Sequence, residues 1–158
     1  MSTALRSLDC LLAWERRRAR RPVPARGLLL VAAGGLGDAV LLAHVLPRFQ
    51  ALAGEAEPVT LILRQDAAKM GFLFGSDVVV RAVDFRRLRR DFLYRRKTLK
   101  EVHALNVRLA LSADYLRHPW LDEALVAAAG APETAAMIAR PWPKYQDALD
   151  RNRRRYTR

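Results

Sequence analysis

The chain has 158 residues, 51% of them apolar, and 28 Lys+Arg against 16 Asp+Glu give it a net charge of +12. That length suits one domain or a piece of a larger protein, and the apolar share excludes a disordered tail. No apolar run nears the roughly 20 residues of a membrane-spanning helix, no signal-peptide pattern opens the chain, and the lone Cys10 excludes an internal disulfide framework or a thiolate zinc site. The expected compartment is therefore the cytoplasm.

Residues 1–26 read as a first unit, a basic amphipathic helix with a linker. Leu5, Leu8, Leu11 and Leu12 share one helical face, Arg16, Arg17, Arg18, Arg20 and Arg21 follow, and Pro22 and Pro24 stop the helix. Such a face beside such a cluster predicts adsorption to an anionic membrane. Residues 27–158 read as a second unit. Residues 28–33 form a continuous apolar run, the mark of a strand buried on both sides of a parallel sheet. A glycine-rich turn leads into an expected helix over 39–53, with Pro47 as a kink. A strand over 58–63, a helix over 65–74, a strand over 78–83 and one or two basic helices over 86–104 follow. Then come a strand over 107–111, a loop over 112–119, a helix over 120–129 closed by Gly130, and a fifth strand over 134–139. Strict β-α alternation predicts an α/β fold with a doubly wound, mainly parallel, Rossmann-like sheet.

The charge excess is clustered: residues 1–26, 84–101 and 151–158 each carry a net +5, and the remainder is at −3. Three basic patches on a near-neutral body imply an anionic partner, although an arginine bias in composition explains any one of them as well.

In such sheets the working groups gather at the carboxyl ends of the strands. The densest glycine cluster, Gly34, Gly35 and Gly37, follows the first strand there, with Asp38 next. Asp38 can cap the amides of the following helix, or it can serve as a general base at the crevice mouth. The motif is not a dinucleotide fingerprint, because Val40 stands where a third glycine belongs, and no Gly-Lys-Ser/Thr makes it a P-loop. A carboxylate at this point repels phosphate and suits a hydroxyl.

Residues 28–52, with Leu36-Gly37-Asp38 and Pro47, resemble the opening of the glycosyltransferase family 9 enzymes, the lipopolysaccharide heptosyltransferases and their relatives. Residues 58–64 look like the family's second strand. Tyr115-Leu116-Arg117, the segment from Leu121 to Val126, and Asn152 with Tyr156-Thr157-Arg158 resemble elements of a subgroup, with Leu116 replacing a serine. The resemblance implies the N-terminal half of a GT-B fold, which takes the acceptor. The nucleotide-sugar donor is expected on a C-terminal domain absent from this chain, so the fragment alone is expected to be inactive. It implies inverting transfer of a sugar such as a heptose to a lipopolysaccharide-type or other glycan acceptor, with Asp38 as base, no cofactor and no metal. Acceptor contacts are expected from Gly34, Gly35, Leu36, Gly37, Arg64, Tyr115, Arg117 and His118. The implied location is peripheral, at the inner face of the cytoplasmic membrane, with a glycolipid or glycan acceptor as partner and no nucleic acid.

Among the other side chains, His44, Trp120 and Trp142 read as packing residues. His103 reads as lying near the carbonyls of its helix end, and Trp14 as packed or interfacial. Cys10 has no base beside it that would make it a nucleophile. Two other functions compete: a nucleic-acid-binding protein, favoured by arginine content but lacking a groove-reading motif, and a Rossmann-like nucleotide-binding module without catalysis.

Overall fold

A computed structural model of the chain describes residues 3–18 and 24–157, with the side chains of all of these except 3–6, 16 and 17. Arg20, Arg21, Pro22 and Arg158, and the side chains of Leu5, Arg16 and Arg17, lie outside the described residues.

The apolar run after Gly27 forms β1 (Leu28–Ala32), and every residue in it is buried. It pairs in parallel with β2 (Val59–Arg64) on one side and β4 (Leu109–Ser112) on the other, so that Leu30 stands level with both Leu61 and Leu111. With β3 (Val78–Val83) beyond β2 and β5 (Glu133–Ala136) beyond β4, the order is β3-β2-β1-β4-β5, parallel throughout. The expected parallel sheet with β1 at its centre is what these residues build.

Alternation of side chains along the strands feeds two cores. Leu29, Val31, Ile62 and Ala110 face α1 (Thr3–Arg18), α3 (Phe85–Arg90), α4 (Phe92–Ala104) and α5 (Asp122–Ala129). Leu28, Leu30, Leu61, Leu63 and Leu111 face α2 (Leu36–Gln50) and the short 3-10 segment Ala67–Leu73. Both faces are covered, as a doubly wound sheet requires.

Several boundaries differ from the sequence reading. The first helix runs to Arg18, in keeping with a basic end stopped before Pro24. Its Leu8 and Leu12 are buried in the core, while Leu11 is exposed, so the face read as lipid-seeking is spent on packing. Helix α2 starts at Leu36, earlier than expected, because Gly35 already serves as its N-cap; Pro47 is accommodated in its last turn. The segment after β2 winds as a 3-10 helix rather than an α-helix. The basic stretch after β3 splits into α3 and α4 at Asp91, whose side chain accepts from the Tyr94 amide and whose own amide bonds to the Arg87 carbonyl. Strand β5 ends at Ala136, short of 139. A final helix, α6 (Gln146–Arg153), was not expected. No helix among the described residues is long and apolar enough to cross a membrane.

Candidate active site at the carboxyl end of the sheet

The chain order reverses between β1 and β4: from β1 it winds outward to β2 and β3, then crosses back to β4 and β5. Ligands in open parallel sheets bind outside the carboxyl ends at such a switch point. The loops that meet there are 33–35 after β1 and 113–121 after β4.

The first loop is held by two carboxylates. Asp114, just beyond β4, accepts from the Ala33 amide at 2.5 Å, and the Gly34 amide further favours its charged form. Asp38, in the first turn of α2, accepts from the Gly35 amide at 2.7 Å. Three successive amides, which in a phosphate-binding loop would face a ligand, are thus committed to the protein's own acids. Gly34 is required here by contact rather than by dihedral angle: a Cβ on it would lie 2.5 Å from Asp38 Cβ.

Asp38 is exposed, with only Oδ2 engaged among the described residues. Asp114 is partly buried, and that burial pushes its carboxyl above the usual range; the amide of Ala33 opposes the shift and the nearby charge of Asp38 adds to it. The two acids therefore differ. Asp114 resists ionisation and holds the loop, while Asp38 stands at the rim with an oxygen to spare.

Arg64, at the end of β2, is the expected site cation that the fold brings to this loop. Its guanidinium is clamped bidentately by Asp66, Nε to Oδ1 and Nη2 to Oδ2, both at 2.6 Å. That clamp holds Asp66 down at about 2 and raises Arg64 above its ordinary value, with the charge of Asp38 contributing. A Cβ on Gly35 would sit 3.3 Å from Arg64 Nη2, so the fork rests directly beside the glycine turn. Leu36, Gly37 and Tyr115 are exposed around the same rim.

Arg117 and His118 are placed differently from their expected roles. Arg117 is 6% exposed; its Nη1 lies 3.3 Å from Glu123 Oε1 and its guanidinium lies over the Tyr156 ring. Glu123 in turn accepts from Asn152 Nδ2 at 2.6 Å. The segments around Arg117, Glu123 and Asn152–Tyr156 therefore meet in space, as an internal tie rather than a ligand fork. His118 packs against Trp120, Trp142 and Tyr145. Its Nδ1 accepts from the Trp120 amide, which leaves the proton on a buried Nε2 without a partner. Burial, with the charge of Arg89, pushes this imidazole down to about 4, so it is neutral at pH 7.

His44 is exposed rather than packed, because Ala39, Leu42 and Leu46 define the buried face of α2 and position 44 falls off it. His103 Nδ1 lies 3.2 Å from the Ala128 carbonyl of α5. Trp14 is exposed beneath the guanidinium of Arg18, 3.7 Å from its ring centre. Trp120 and Trp142 pack, as expected, in the cluster around His118. Among the described residues no group of three or more His, Cys, Asp or Glu is placed to hold a metal ion. A groove of about 350 Å³ opens elsewhere, between β3 and α4, lined by Arg81, Tyr94, Lys97 and Glu101.

Sequence reasoning missed two residues that shape this end. Asp114 carries no motif; its role follows from β4 lying beside β1. Arg95, counted among surface charges, is fully buried: it grips Asp9 with two bonds of 2.6–2.7 Å and donates to the carbonyls of Leu88 and Trp120. No family model, no curated protein and no solved structure matches the chain.

Proposed function

We propose that this chain is the acceptor-side half of an inverting glycosyltransferase, acting at an anionic membrane such as the inner face of the cytoplasmic membrane. The observation that carries the reading is the state of the glycine turn. Its amides are taken by Asp114 and Asp38, which disfavours a nucleotide phosphate there, and exposed Asp38 keeps its second oxygen unengaged among the described residues. A sugar hydroxyl is a poor nucleophile at neutral pH, and attack on an anomeric carbon needs a base within about 3 Å of the hydroxyl proton. Asp38 fills that role. Asp114 positions the turn, and Arg64 offers a guanidinium for an anionic group on the acceptor, such as a phosphate or carboxylate. The nucleotide-sugar belongs to a donor-binding half outside this chain, which the assay must include.

Asp38→Asn keeps the side-chain shape and an oxygen to accept from Gly35, so the fold survives. In an assay with the donor-binding half present, turnover is expected to fall roughly 100-fold or more with little change in acceptor affinity. Near-normal turnover would reduce Asp38 to a helix cap. If the unsubstituted protein binds nucleotide-sugar at this crevice and ignores the glycolipid, the acceptor-side reading fails.

A further inference from the structure

The cluster of positive charge over 84–101 is not uniformly solvated. At the elbow between α3 and α4 the chain exposes two large apolar side chains in succession, Phe92 at 46% and Leu93 at 74%. On the two helices that meet there, Arg86, Arg89 and Arg90 of α3 and Arg96 of α4 are exposed and make no ion pair among the described residues. Arg87 is different, being tied to Asp91 at 2.8 Å and lying over Tyr94. The elbow is also rigid: Asp84 and Asp91 cap the two helices, and buried Arg95 pins Leu88 of α3 and Trp120 of the loop after β4 to α4. That tie sets the elbow on the same carboxyl side of the sheet as the Asp38 turn.

We infer that the α3–α4 elbow is the surface through which the protein docks on an anionic lipid bilayer, with Phe92 and Leu93 entering the headgroup–acyl boundary and the four arginines binding lipid phosphates. The inference rests on the membrane partner proposed above, but not on the chemistry given to Asp38. It also relocates the contact, since Leu8 and Leu12 of α1 are buried.

Charge and shape favour a bilayer over other occupants. A second copy of the same face would bring four more unpaired arginines against these four, which repel. A nucleic acid would satisfy the arginines and could stack on Phe92, but Leu93 has no π-face to offer a base. A bilayer accepts both side chains, and guanidinium groups can reach up to the phosphates while their stems lie along the acyl boundary. Each arginine near an anionic surface adds to affinity, and the attraction is screened by salt.

The test is co-sedimentation of the full chain with vesicles of phosphatidylglycerol and, separately, of phosphatidylcholine, at low and physiological salt. Binding to phosphatidylglycerol but not phosphatidylcholine is expected. Phe92→Ser with Leu93→Ser should weaken it about tenfold, and Arg86→Gln with Arg89→Gln and Arg90→Gln about 100-fold. Leu41→Ser, at an exposed apolar site on α2, should change nothing, and circular dichroism should show all variants folded. Equal binding to phosphatidylcholine, undiminished binding by the Phe92/Leu93 pair, or equal loss from Leu41→Ser would each overturn the inference. So would tighter binding to duplex DNA than to vesicles with the serine pair unaffected. Asp38→Asn must sediment like the unsubstituted protein, so that failure here and failure of the catalytic assignment are separate results.

Discussion

The two ends of the sheet are built on opposite rules. At the amino end, Arg108 just before β4 is shared among Glu57 before β2, Glu133 at the start of β5 and the Leu52 carbonyl, at 2.8–3.2 Å. Its charge is answered by two carboxylates and a carbonyl that tie the starts of β2, β4 and β5 together. At the carboxyl end, Leu36, Tyr115, Leu116, Met137 and Ile138 are exposed. Beneath them, polar atoms of Arg117, His118, Asp122 and Glu123 are buried without a hydrogen-bond partner. At the amino end Arg108 is fully paired; at the carboxyl end the Arg117–Glu123 pair at 3.3 Å still leaves several buried polar atoms without a hydrogen bond. Proteins tolerate local rule-breaking where function requires it, and here it gathers at the switch point.

The largest effect expected from breaking this contrast is at the amino end. Arg108→Ala leaves the Glu57 side chain with the Gly54 amide but without its guanidinium, a loss of about 2 kcal/mol in unfolding by denaturant. The bond from Arg108 holds Glu57 down at about 2 from an ordinary 4.5. A depressed folded value means the contribution is full above pH 4.5 and is lost as the pH falls toward 2. The unsubstituted protein should therefore lose stability across that window, and Arg108→Ala should lose much less. An unchanged acid transition would show that the amino end is not held by this cluster.

At the carboxyl end the sign reverses. Asp122 is buried; Oδ1 accepts from the His118 amide and Oδ2 has no partner. Burial raises its carboxyl well above the ordinary 3.8, with the charges of Asp114 and Glu123 adding to the shift. For an acid raised on folding, the contribution is full below 3.8 and is lost as the pH climbs through the folded value. Asp122→Asn keeps an acceptor for His118 and carries no charge to bury. We expect it to be about 1 kcal/mol more stable than the unsubstituted protein at alkaline pH, with no gain below pH 3.8. Thermal melts across pH check this, and a destabilised Asn variant at every pH would mean the carboxylate is compensated after all.

The same contrast explains what the sequence made legible. The central strand and the Asp38 turn could be read because they are local: an unbroken apolar run from Leu28, then three glycines and an acid within five residues. Roles that depend on distant partners could not. Asp114 matters because β4 lies beside β1, which brings it to an amide 81 residues away. The pair of half-buried Asp9 and buried Arg95 spans 86 residues, and without it the Leu8/Leu12 face of α1 looks free for lipid. Arg117 was read as a ligand fork from its charge and position, yet Glu123 on the next helix takes that charge inward. Composition reports how many arginines a chain has, and only packing decides which of them face outward.

The smallest effect expected is also the most direct probe of the open end. Ile138, 87% exposed just past β5, and Leu116, 53% exposed after β4, lose little water on folding. The hydrophobic term depends on the difference in exposure between folded and unfolded chain, so there is little transfer energy to forfeit. Ile138→Ser and Leu116→Ser should each shift stability by no more than about 0.5 kcal/mol, whereas Leu29→Ala in β1, the central strand, should cost about 2–5 kcal/mol. Melting curves at two protein concentrations make the comparison sharp. A loss above about 1 kcal/mol that grows with concentration would mean these side chains are covered in solution by a second copy. The carboxyl end would then be a packed interface, and its exposed apolar rim could not be the mouth of a crevice.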